Sequence, residues 1–164
     1  MSEPVTVTYL ELLSPSAHKT KTNADPRFGV SELAGPTPTF NKRMYTEVGR
    51  AWQWTERLAW SDTAWLEYAS SPKVHTFAAR YDGTTAGYFE LREADDEVEL
   101  VYFGLLPDFV GKKIGGSLLS VAIQAAWALN PRRVWVHTCT LDHPAALANY
   151  QARGFRVYKT VTES

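Results

Sequence analysis

Apolar and β-branched side chains recur at roughly every second position along Val5–Leu13, and that period predicts a strand. The pattern then dissolves. Ser14–Thr39 is rich in Pro, Gly, Ser and Thr without a sustained period, which predicts a long loop with at most one short helical turn. From Phe40 to Tyr68 the spacing turns helical, as two helices meeting near Trp60–Asp62, with Ser61-Asp62 capping the second and Pro72 closing the region. Alternation returns over Val74–Tyr81 and Thr84–Arg92, joined by Asp82-Gly83, a hairpin signal because both residues tolerate positive φ. Ala94–Asp96 makes the next turn, and Val98–Leu106 is the third strand of this group. Ile114, Leu118, Val121, Ala122, Ala125 and Leu129 mark one face of a helix over Ile114–Leu129, stopped by Asn130-Pro131. A strand over Val134–Thr140, a short helix over His143–Ala152 and a last strand over Phe155–Val161 complete the chain. Pro144 suits the first turn of that helix and Gly154 its stop.

The order β–α–α–β–β–β–α–β–α–β predicts a mixed α/β (α+β) domain, a sheet with helices on its faces. The 164 residues fit one domain, and 45% hydrophobic residues suffice for a core. No apolar run reaches the ~18 residues of a membrane helix, and no secretory signal is read at the N-terminus. Net charge is −1, against a general nucleic-acid binder. The single cysteine, Cys139, forms no internal disulfide, which favours a reducing cytoplasmic setting. Aromatics are unusually dense: six Trp and eight Tyr, with Trp52, Trp54, Trp60 and Trp65 close together.

One stretch carries the chemistry. Glu97–Leu119 reads as strand, proline-marked exit, glycine-containing basic loop and helix start. A helix start exposes backbone N–H groups with no carbonyl partner, and with the dipole they form an anion site. Gly111, Gly115 and Gly116 admit a phosphate close to the backbone, and Lys112 and Lys113 add charge. A phosphate-bearing ligand beside a strand end is expected.

Val110-Gly111-Lys112-Lys113-Ile114-Gly115, running on into Gly116 and Ser117, resembles the Gln/Arg-x-x-Gly-x-Gly/Ala signature of the GNAT N-acetyltransferase superfamily. Val110 stands where the family has Gln/Arg, and Lys113 where it has its first Gly. A β-carbon at Lys113 is tolerated if φ there is negative, and its ammonium could offset the missing charge. About 27 residues on, His143-Pro-Ala-Ala146-Leu-Ala-Asn-Tyr150-Gln-Ala-Arg-Gly154-Phe155 resembles the family's Asn-x-x-Ala-x-x-x-Tyr-x-x-x-Gly-Phe, with His143 for Asn. The resemblance covers roughly Val74 to Val161. It implies a GNAT-like, central, mixed but mostly antiparallel sheet of about six strands flanked by about four helices. It implies one domain over 1–164: acceptor-side helices in 1–72, the donor-binding loop and helix in 73–130, and a strand–helix–strand unit in 131–164.

The resemblance further implies transfer of an acetyl group from acetyl-CoA to a primary amine, acetyl-CoA being a co-substrate. Tyr150 would be the general acid that protonates the leaving thiolate; its alternative is a core Tyr closing the helix on the sheet. Glu99 is the candidate base. Period two puts it on the face of Val101 and Phe103, where a carboxylate is costly unless paired or functional; its alternative is a solvated strand-end Glu. Phe103, Gly104 and Leu105 would meet the pantetheine through their backbone, as in strand addition. Val110, Gly111, Lys112, Lys113, Ile114, Gly115, Gly116 and Ser117 would hold the phosphates, with His143, Ala146 and Tyr150 also touching the donor. His137 either shares the proton work or makes a structural hydrogen bond. Phe40, Trp60, Trp65 and above all Tyr45, Trp52 and Trp54 sit where the family builds the acceptor pocket, though helix packing explains most of these rings. His137, Cys139, Asp142 and His143 match no zinc spacing, so no metal is expected, and Cys139 reads as a small core residue. Two rival readings remain at this stage: a non-catalytic CoA-binding or sensory module, and an acyltransferase with a longer acyl donor or a hydroxyl acceptor. A small-molecule or peptide acceptor, no nucleic-acid or membrane partner, and a monomer or homodimer are expected.

Overall fold

The computed structural model describes residues 4–52 and 54–163. Its elements are β1 (Val5–Leu12), β2 (Phe28–Glu32), α1 (Pro38–Gly49), α2 (Asp62–Ser70), β3 (Val74–Tyr81), β4 (Thr84–Ala94), β5 (Glu97–Leu105), α3 (Gly115–Trp127), β6 (Arg133–Cys139), α4 (Ala146–Ala152) and β7 (Arg156–Glu163). The strands form one seven-stranded sheet in the order β2-β3-β4-β5-β6-β1-β7. Every neighbouring pair is antiparallel except β5 and β6.

Local chemistry explains most boundaries. Asp82 and Gly83 take φ of 54° and 79°, the left-handed pair that closes the β3–β4 hairpin. Ser61 caps α2, its side chain accepting from the Ala64 amide at 3.1 Å. Asn130 takes a φ of 59° and ends the α3 region.

Three expectations need correction. The predicted loop Ser14–Thr39 contains β2, an edge strand paired with β3 from Phe28↔Tyr81 to Glu32↔Phe77. Its partner lies far along the chain, so its own short alternation gave little signal. The first helix stops at Gly49, well before Trp60, because the chain folds back and the Trp54 amide donates to the Gly49 carbonyl at 3.2 Å. And α4 starts at Ala146, after a turn in which the Ala146 amide donates to His143 O at 2.9 Å.

A fourth correction bears on function. Glu90 pairs with Tyr102 but Leu91 with Leu100, so Val101 is an extra residue, a β-bulge in β5. The bulge reverses the alternation. Leu100 and Phe103 both join the core between the sheet and α3, around Phe89, Leu118 and Tyr150. Glu99 therefore shares the opposite face with Tyr102, which packs with Val48 and Trp54 beneath α1. It does not share the face of Phe103.

Candidate active site

β5 and β6 pair only over Glu97↔Arg133, Val98↔Val134 and Glu99↔Trp135. Beyond that point they part, leaving the β6-facing edge of Val101–Leu105 without a strand partner. A cleft of 830 Å³ opens in the gap, with Phe103, Gly104 and Leu105 on one wall and Val136, His137 and Cys139 on the other. The bulge sits where the sheet parts. Gly104 is required there, since a β-carbon would run into Val48 Cγ1 of α1.

At one end the cleft meets the start of α3. Val110, Gly111, Lys113, Gly115 and Gly116 line it, whereas Lys112, Ile114 and Ser117 do not. Ile114 is fully buried, and Ser117 turns its hydroxyl back to donate to the Ile114 carbonyl at 3.1 Å. No side chain caps α3, so its first amides are free to meet an anion. Lys113 does not take the negative φ that would accommodate its β-carbon without strain. It takes a φ of 64°, the left-handed conformation in which the signature has glycine, so the loop keeps the glycine geometry at a strain cost of about 1 kcal/mol.

Two cations at this end were missed in the sequence. A β-carbon on Gly116 would meet Arg153 Nη1 at 2.6 Å and Lys21 Cδ at 2.7 Å, so both side chains lie against the first turn of α3. Among the described residues neither joins an ion pair. The Arg153 Nε is buried without a hydrogen-bond partner. Lys21 is held by its amide, which donates to Ser120 Oγ at 2.8 Å, and the adjoining Lys19 amide donates to Arg153 O at 2.8 Å. The available signal was the basic character of Lys19 and Lys21 in a long loop; nothing local tied it to α3.

Tyr150 of α4 lines the cleft and is 7% exposed. Burial, with the Asp142 charge second, pushes its phenol well above the ordinary range, so it stays a neutral donor at physiological pH. His143 and Ala146 line the same wall. His137 projects into the cleft, half exposed, with Nε2 3.9 Å from Glu99 Oε2. Glu99 itself is not a wall of the cleft. It is 6% exposed and accepts from Arg92 Nη2 at 2.5 Å.

The other end is aromatic. Tyr45, Trp52 and Trp54 line it together with Tyr102, whose ring lies 4.9 Å from Trp54. Asp142 fixes this arrangement: Oδ1 accepts from Trp54 Nε1 at 3.1 Å, and Oδ2 from Thr138 Oγ1 at 2.6 Å and the Cys139 amide at 3.0 Å. Phe40, Trp60 and Trp65 lie elsewhere. Phe40 packs on Tyr88, and Trp60 and Trp65 stack with Arg57. The Arg57 guanidinium is enclosed by Trp60, Tyr68 and Tyr102 and faces Glu90 at 3.6 Å. Glu90 is fully buried and accepts from Tyr68 Oη at 2.5 Å and Asn41 Nδ2 at 2.9 Å. Among the described residues no cluster of three His, Cys, Asp or Glu side chains is placed to hold a metal ion. No helix is long and apolar enough to cross a membrane.

Residues 41–155 match the sequence model of the Acetyltransferase (GNAT) family. An uncharacterized N-acetyltransferase of Mycobacterium bovis is 30% identical over 103 residues, covering 62% of this chain and 65% of that protein, and one of Mycobacterium tuberculosis matches equally. The match thus spans just under two thirds of these relatives' length. Among solved structures, a GCN5-related N-acetyltransferase from Sphaerobacter thermophilus superposes with a TM-score of 0.67 at 17% identity, over 97% of this chain and 50% of that one. An IAA acetyltransferase from Bacillus cereus gives 0.60 at 21% identity, over 80% and 79%. At these identities the likeness shows the fold.

Proposed function

Since the chain belongs to the GNAT acetyltransferase family, we propose that it moves an acetyl group from acetyl-CoA to a primary amine by direct attack. The observation that carries this reading is the parting of β5 from β6 beside the uncapped start of α3, with the Tyr150 phenol in the cleft wall between. The residues fit the co-substrate: free amides with Lys113, Lys21 and Arg153 for its phosphates, and an unpaired strand edge at Gly104 for its amide-bearing arm.

The amine nitrogen forms the new C–N bond as the thioester C–S bond breaks. Tyr150 gives its proton to the departing sulfur. His137 is the group in the cleft that takes the amine proton, directly or through water, and the Glu99 carboxylate, 3.9 Å behind it, stabilises the imidazolium by its charge. In this reading Glu99 acts through His137, because Arg92 already engages its carboxylate. Glu99→Gln then lowers turnover and spares CoA binding.

Calorimetry with CoA, followed by a thiol-release assay over amines, amino acids, peptides and alcohols with acetyl- and longer acyl-CoA, tests the proposal. Submillimolar CoA binding and release driven by an amine are expected. No CoA binding would overturn it. Binding without turnover on any acceptor would leave the non-catalytic CoA module.

A further inference from the structure

The acceptor end of the cleft has a charge pattern that the transfer reaction alone does not require. Glu56 and Glu163 both line the cleft, Glu56 on the segment after α1 and Glu163 at the end of β7, paired in register with Val5. Both are exposed. Among the described residues neither carboxylate joins an ion pair. Asp142 adds a third negative charge, but its oxygens are already taken by Trp54, Thr138 and the Cys139 amide. Among the described lining residues the one Lys or Arg is Lys113, at the donor end. Other cations nearby are engaged: Lys159 lies over the ring of Tyr9, itself a lining residue, at 5.1 Å, Arg92 pairs with Glu99, and Arg57 is held in its aromatic cage. The Tyr102 phenol and the Cys139 thiol are both pushed up, by burial foremost and in smaller part by Glu56.

The same cleft is lined by the apolar and aromatic side chains of Val5, Val7, Trp52, Trp54 and Tyr102. Chemistry then constrains the acceptor. The attacking nitrogen must be neutral when it attacks, so it gains nothing from a carboxylate that must stay charged. Its place is beside His137 and Tyr150. Two unpaired carboxylates in the cleft suit a second nitrogen that keeps its proton.

We propose that the acceptor is a diamine: a primary amine joined through an apolar spacer to a second, cationic group, with no carboxylate or phosphate of its own. The reactive amine reaches the Gly104–Tyr150 centre, the spacer lies on Trp52, Trp54 and Tyr102, and the second cation rests between Glu56 and Glu163. An anionic acceptor meets three like charges in the cleft. This inference rests on the N-acetyltransferase reading and gives that reading its substrate class.

Three acceptors built on one five-carbon chain test it: 1,5-diaminopentane, pentylamine, and lysine, which is the same diamine bearing a carboxylate. With acetyl-CoA saturating, kcat/KM for the diamine is expected to exceed both others by about tenfold or more. In the double variant Glu56→Gln/Glu163→Gln the diamine-to-pentylamine ratio is expected to fall to about one, through KM rather than kcat. That ratio is insensitive to a partial loss of folded protein. Equal efficiency on the three acceptors, a preference for lysine, or a diamine preference that survives the double variant would each overturn the inference while leaving N-acetyl transfer standing. Absence of CoA binding in the wild-type chain would instead remove the reading beneath it.

Discussion

The two ends of the cleft, proposed above as the donor end and the acceptor end, are built by different means. The donor end is made of main chain: the amides of an uncapped helix start, a left-handed turn at Gly111 and Lys113, and the bare edge of a bulged strand. The acceptor end is made of side chains from α1, the segment after it and β5, rings propped by Asp142 and by a buried Arg57–Glu90 pair. A backbone site tolerates substitution, because amides and φ angles survive a change of side chain. Val110 and Lys113 break the signature, and the geometry holds. A side-chain site has no such tolerance.

The comparison breaks most visibly at Arg57. Arg57→Met leaves Glu90 buried without its cation and is expected to cost about 3–5 kcal/mol of stability, read from denaturant midpoints. Burial raises the Glu90 pKa in the folded chain, so folding favours its proton. That contribution is fully present below the ordinary carboxylate range and is lost as pH rises through the raised value. Stability should therefore fall with rising pH, more steeply in Arg57→Met, and Glu90→Gln should flatten the curve. A loss under ~1 kcal/mol in Arg57→Met would show that the acceptor end does not lean on this pair.

Next in size is Tyr150→Phe, a side-chain change at the meeting of the two ends. It should lower kcat about 100-fold with CoA affinity unchanged by calorimetry, whereas a merely structural Tyr would alter both. At the donor end, Lys21→Ala with Arg153→Ala should weaken CoA binding about tenfold and flatten its salt dependence. Binding of a phosphate-free acetyl-pantetheine should not change; if it weakens equally, the two cations support the fold and not the phosphates. The smallest effect is expected where the main chain dominates. Lys113→Gly should stabilise the protein by about 1 kcal/mol through relief of the left-handed strain, measured by thermal unfolding. If it destabilises instead, the Lys113 side chain matters more to the loop than its φ.

Much of the donor end was legible because its information is local. The spacing of Val110–Gly115 and of Ala146–Phe155 survives as text, and the hairpin at Asp82-Gly83 and the cap at Ser61 are short-range chemistry. What stayed hidden depends on distant partners. β2 exists by pairing with β3, Lys21 and Arg153 meet only across α3, and Trp54 finds Asp142 at 88 residues' separation. The face of Glu99 was misread for a subtler reason. Strict alternation assumes one residue per partner, and Val101 has none.

That unpartnered residue also decides what can vary. Substitution changes which side chain stands at a position, but it cannot slide the position of the opening along the sheet. The place where β5 leaves β6 is counted in residues, and Val101 is the odd one in the count. Deleting it would keep Leu100 opposite Leu91 and Tyr102 opposite Glu90, so Glu99 would stay on the face of Tyr102, but β5 would lose the kink that the bulge sets where the sheet parts. The address of the chemistry is thus written in chain length, while its identity is written in side chains. The acceptor can be retuned one substitution at a time; the site of transfer can be lost in a single deletion.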